Sequence, residues 1–114
     1  MEIKADKKNG VNILYLAGKM TIGEGDVKLR KTFRDLMDSG ERQFLFDMSD
    51  VPYLDSAAVG ETVACYKRAS DQGGVIKVVM PPGGKAHEVF VLTYLDRVFQ
   101  IFPDEEAALA SFPS

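Results

Sequence analysis

The sequence predicts an α/β domain: a mixed sheet of four to five strands, opened by an N-terminal hairpin and continued by parallel strands, with about four helices. Three observations lead there. Asn9-Gly10, the residue pair that a tight two-residue turn prefers, separates two short strand-like runs. Beyond it, apolar runs of strand length alternate with segments of helical periodicity, and right-handed crossovers make such strands parallel. Finally, 114 residues with 46% apolar and 27% charged composition suit one ordinary globular domain with one core, so residues 1–114 are read as a single unit.

Residues 3–7 alternate weakly and suit an edge strand. After the turn, Val11, Ile13, Leu14 and Leu16 mark a half-buried to buried strand that Gly18 ends. Residues 26–39 read as a helix, because Leu29, Phe33, Leu36 and Met37 form one stripe while Val27 lies off it. Gly40 stands where a helix commonly ends in the left-handed region. Phe44-Leu45-Phe46 up to Asp47 reads as a central strand. Residues 48–54, with Ser49-Asp50 and Pro52, read as loop. A second helix starts at Ser56, with Val59, Val63 and Tyr66 as its apolar face, and closes at Gly73-Gly74. Residues 75–80 are a β-branched buried strand, 81–84 a Pro/Gly loop, and 86–95 a third helix. Residues 99–102 make a last strand, and 104–110 a final helix with acidic residues at its start, where the helix dipole favours them.

Composition excludes several kinds of chemistry. One Cys and one His leave no multi-cysteine or His-rich metal site and no internal disulfide. A net charge of −3, from 14 basic and 17 acidic residues, argues against nucleic acid, which needs a basic face. The apolar stretches fall far below the roughly 20 residues that span a bilayer, and no apolar leader follows Met1, so a cytoplasmic chain without membrane contact is expected. A serine nucleophile would need a base, and His87 follows a Pro/Gly loop where a surface or capping role fits. Cys65 sits among apolar neighbours as an inert thiol. No catalytic residue, cofactor or metal is expected.

In parallel sheets, ligands and modification sites lie beyond the carboxyl ends of the strands. Here that edge includes Asp47, the loop to Asp55, and Ser56. Ser56 opens a helix, so its ordinary role is an N-cap. Its chemical role would be a phosphorylatable hydroxyl against the positive helix end.

The stretch Val51-Pro52-Tyr53-Leu54-Asp55-Ser56-Ala57-Ala58-Val59-Gly60, preceded by Phe44-Leu45-Phe46-Asp47-Met48-Ser49, resembles the signature of STAS domains, which include the bacterial anti-sigma-factor antagonists. The strand at 75–80 and the ending Val98-Phe99-Gln100-Ile101-Phe102 with Glu105-Glu106-Ala107-Ala108-Leu109 fit the same family by order and spacing. The resemblance implies the STAS fold and a non-enzymatic partner switch. Ser56 maps onto the family's phosphorylated serine. An anti-sigma-factor serine kinase adds the phosphate, a PPM-type phosphatase removes it, and the unmodified domain binds the anti-sigma factor. The partner-binding positions carried over are Asp55, Ser56, Ala57, Ala58, Val59, Gly60 and Thr21. Asp55 would orient the loop, and Gly60 would allow close packing of the helix start. Three positions depart from the family pattern. Ala57 and Ala58 replace a Ser and a Gly, and Thr21 replaces an acidic residue after a glycine-rich stretch unlike the family's usual one. A monomer or weak dimer is expected.

Two other readings compete. A receiver domain phosphorylated on Asp47 would need an acidic pair after its first buried strand, where this chain has Gly18-Lys19-Met20-Thr21. A STAS scaffold or interaction subunit of a larger signalling or transport assembly would carry Ser56 only as a cap.

Overall fold

The computed structural model describes residues 1–113. A five-stranded sheet in sequential order carries the architecture. Strands β1 (Glu2–Lys8) and β2 (Val11–Ala17) form the expected antiparallel hairpin, with Lys8 opposite Val11. Asn9 and Gly10 both adopt positive φ, at 53° and 79°, as this turn demands. Strands β3 (Gln43–Asp50), β4 (Val75–Val79) and β5 (Ile101–Phe102) add in parallel.

Helices α1 (Gly25–Asp38), α2 (Ser56–Asp71) and α3 (Lys85–Leu92) lie on one face, and α4 (Glu105–Ala110) lies on the other. The alternation of strand side chains makes this possible. Leu14, Leu16, Phe44, Phe46, Ile76 and Val78 point toward the three-helix face, where Leu29, Phe33 and Met37 of α1 meet them. Val11, Ile13, Leu45 and Val79 point the other way, toward Ala108 and Phe112. Phe33 packs edge-on against Phe46 and tilted against Phe44. Central strands buried on both faces are why β2, β3 and β4 read as dense apolar runs.

Three boundaries and one buried helix face differ from the sequence reading. Residues 48–50 are strand, because β3 continues alongside β2 through an irregular step that brings Ala17 opposite Asp50. Met48 is therefore core. The third helix stops at Leu92; Tyr94, at φ 60°, breaks it, and a short 3₁₀ turn (Leu95–Arg97) follows. The last strand keeps only Ile101 and Phe102, while Phe99 packs its ring against Phe90 and Tyr66. In α2 the fully buried stripe is Ala58, Thr62, Cys65 and Ala69, and the expected face of Val59, Val63 and Tyr66 is only partly covered. Small side chains let α2 sit close to the sheet, so size ruled out the larger residues as its innermost contacts.

Candidate functional site

The loop after β3 leads into α2 at the carboxyl edge of the sheet. Val51 and Leu54 turn inward and anchor this loop, while Tyr53 stays half exposed. The Gly18–Gly25 segment then zips onto it. Met20 N–H donates to the Tyr53 carbonyl at 2.9 Å, and Asp55 N–H donates to the Met20 carbonyl at 3.1 Å. Met20 and Leu54 thereby form a single parallel bridge outside the main strands.

Asp55 holds the junction. One carboxylate oxygen accepts from the Ala58 N–H at 3.0 Å, capping α2, and the other accepts from the Ile22 N–H at 2.9 Å. These backbone donors, Ala58 first and Ile22 second, hold its carboxyl below the usual carboxylate range. The cap is thus Asp55 and not Ser56. Asp and Ser are nearly equal as caps, so sequence preference alone had no power to choose between them.

Ser56 occupies the first helical position, exposed, and its hydroxyl makes no hydrogen bond among the described residues. Relieved of capping, the hydroxyl faces solvent at the positive end of a 16-residue helix. Around it stand exposed Gly60, half-buried Ala57, half-buried Thr21, and the outward side chains of Ile22 and Tyr53.

The carried-over positions differ in how much of them reaches the surface. Ala58 is completely buried on the core-facing side of α2, so its methyl lies in the core and not at the surface. Val59 also packs in part against that core. A Cβ placed on Gly60 would meet only open space, so no packing within the chain requires that glycine. Close approach occurs instead at Gly25, where a Cβ would lie 2.8 Å from Met20 Cα. Gly25 is therefore what lets the start of α1 fold back tightly on Met20. Thr21 contributes through its backbone carbonyl, which accepts from Gly25 N–H at 2.9 Å and closes the start of α1.

The neighbouring candidates are structural. Asp47 accepts from the Ser49 N–H at 3.0 Å, and His87 Nδ1 accepts from the Gly83 N–H at 3.1 Å. Cys65 is buried, which pushes its thiol far above the usual range. Among the described residues no group of three or more His, Cys, Asp or Glu side chains could hold a metal ion, and no helix is long and apolar enough to cross a membrane. Sequence reasoning overlooked Met20 and Ile22, which act through backbone atoms that carry no signature in residue type.

Comparison with known proteins places this arrangement. The profile of the STAS domain matches residues 2–108, and the chain belongs to that family. A candidate anti-sigma factor antagonist of Thermotoga maritima is 33% identical over 92 residues, covering 81% of this chain and 80% of that protein. The crystal structure of a candidate anti-sigma factor antagonist from the same organism superposes with a TM-score of 0.85 at 27% identity, over 95% of this chain and 92% of that one. The Bacillus cell fate determinant SpoIIAA in its phosphorylated form shares the fold, with a TM-score of 0.74 at 14% identity over 97% of this chain and 100% of that one.

Proposed function

We propose that this chain is an anti-sigma-factor antagonist switched by phosphorylation of Ser56. One observation carries the reading: Asp55 takes over the cap, so Ser56 stands exposed at the helix start with a hydroxyl that the fold does not use. The relatives named as anti-sigma factor antagonists support the partner class.

In the unmodified state the surface of Ile22, Tyr53, Ser56, Ala57 and Gly60 is small, neutral and partly apolar, and it docks on an anti-sigma factor that is also a serine kinase. The kinase moves the γ-phosphoryl of ATP to Ser56 Oγ; ADP leaves, and the hydroxyl proton is lost. The product carries about two negative charges beside Asp55. A partner seated there must then strip water from a dianion or face it with its own acidic groups. Either costs on the order of several kcal/mol, enough for release. The fold itself tolerates the charge, because a helix start accommodates anions. A PPM-type phosphatase resets the switch by hydrolysing the phosphoester. The chain acts as substrate and plug, catalyses nothing itself, and works in the cytoplasm.

Wild-type and Ser56→Asp baits in native lysate test this reading, with captured proteins read by mass spectrometry. The account expects an anti-sigma kinase on the wild-type bait and its loss on Ser56→Asp. Equal capture by both baits would favour a scaffold that does not switch.

A further inference from the structure

β1 is an edge strand of seven residues, and Lys4 through Lys8 are all exposed. Its outer side has a definite polarity. Lys8 opposite Val11 closes the two-residue hairpin, so the even-numbered residues exchange backbone bonds with β2. Ile3, Ala5 and Lys7 then direct their N–H and C=O groups outward. The Lys7 N–H agrees with this, since it donates to the Asp6 carboxylate at 2.8 Å instead of to β2.

We propose that this edge pairs with β1 of a second copy, antiparallel about a two-fold axis at Ala5, so that the two sheets become one. The charge pattern selects the partner and the register. With Ala5 opposite Ala5, Lys4 faces Asp6 of the other copy, Glu2 faces Lys8, and Ile3 faces the Lys7 stem. Each charge pair occurs twice by symmetry. The outward-pointing residues face each other as hydrogen-bonded pairs. The charged residues fall on the non-hydrogen-bonded pairs, where side chains approach more closely.

A shift of two residues either way keeps the backbone bonding but ruins the charges. One shift puts Lys4 against Lys4 and Glu2 against Asp6; the other puts Asp6 against Asp6 and Lys4 against Lys8. Like charges directly opposite are unfavourable. The same lysines that repel foreign edges therefore favour this register over its two-residue neighbours, and shifts of four residues restore opposite charges only at the cost of most of the overlap. Lys8 already bonds Glu105 at 2.9 Å, so the selection rests mainly on Lys4 and Asp6. Neither is in an ion pair among the described residues, and on pairing the Lys7 N–H passes from the Asp6 carboxylate to the Ile3 carbonyl of the second copy. This pairing leaves Ser56 untouched and stands or falls without the phosphorylation reading.

Sedimentation equilibrium on the full chain, up to about 1 mM at low and high salt, tests the proposal. The expected result is a monomer–dimer equilibrium that is tighter at low salt. Lys4→Glu raises its dissociation constant about tenfold or more, and Lys4→Glu combined with Asp6→Lys brings it back. Amide exchange of Ile3, Ala5 and Lys7 slows as concentration rises. A chain that stays monomeric throughout overturns the proposal. So does a dimer indifferent to Lys4→Glu, a double variant that does not recover, or Ala5 exchange that ignores concentration.

Discussion

Asp55 is the residue on which the candidate site turns. Its two carboxylate oxygens tie the start of α2 to the Gly18–Gly25 segment. Asp55→Ala removes both bonds, and thermal melting should report a midpoint lower by several degrees. The pH dependence has a definite sign. The folded-state carboxyl lies below its unfolded value of about 3.9, so its stabilisation is fully present above that value and fades as pH falls through the folded one. Acid titration of Asp55→Asn should therefore show a shallower loss of stability below about pH 4 than the wild type. Gly60 makes a complementary case. It is exposed inside a helix with open space around it, so Gly60→Ala should stabilise the fold by about 0.5–1 kcal/mol. If the kinase docks there, the same variant binds it more weakly, and calorimetry with equilibrium unfolding separates the two effects.

At the scale of elements, hydrophobic pattern was a good guide where one residue face meets one layer. Of the expected α1 stripe, Leu29, Phe33 and Met37 are buried as their spacing implies, and Leu36 packs against the core in part. The Asn9-Gly10 turn, the parallel strands and the final helix were equally legible. The pattern failed where tertiary contact decides. Nothing local in Met48-Ser49-Asp50 announces that β2 extends alongside to hold them as strand. In α2 the larger residues looked like the core face, yet closeness to the sheet reserved the innermost row for Ala58, Thr62, Cys65 and Ala69. At the candidate site, the helix start at Ser56 was legible and its cap was not, since two good caps stand side by side and only geometry separates them. Tyr94 shows the same limit. It holds the left-handed conformation that ends α3, a place where glycine is usual, and the residue is 65% exposed. Tyr94→Gly should raise stability by up to about 1 kcal/mol in denaturant unfolding, because little burial is lost and the backbone strain is relieved.

On the scale of the whole molecule, the sheet and the three-helix layer hold the Ser56 hydroxyl at the surface. The core lies beneath the site and not in it: Ala58, Leu54 and Met20 are buried directly under residues that face solvent. Under the proposed function, a charge added at Ser56 changes what the surface can bind without disturbing what holds the fold together. Ser56→Asp should keep the unfolding free energy within about 0.5 kcal/mol of wild type, the range of ordinary surface substitutions, while its affinity for the kinase falls. A matched loss of stability and binding would mean that Ser56 serves the fold and not a switch.

The most direct measurement is the intact mass of the protein after incubation with ATP and the kinase it captures. The account predicts a gain of one phosphate on the wild type, fragment ions placing it on Ser56, and no gain on Ser56→Ala. Phosphate that persists on Ser56→Ala, or a wild-type chain that the captured kinase leaves unmodified, would contradict it.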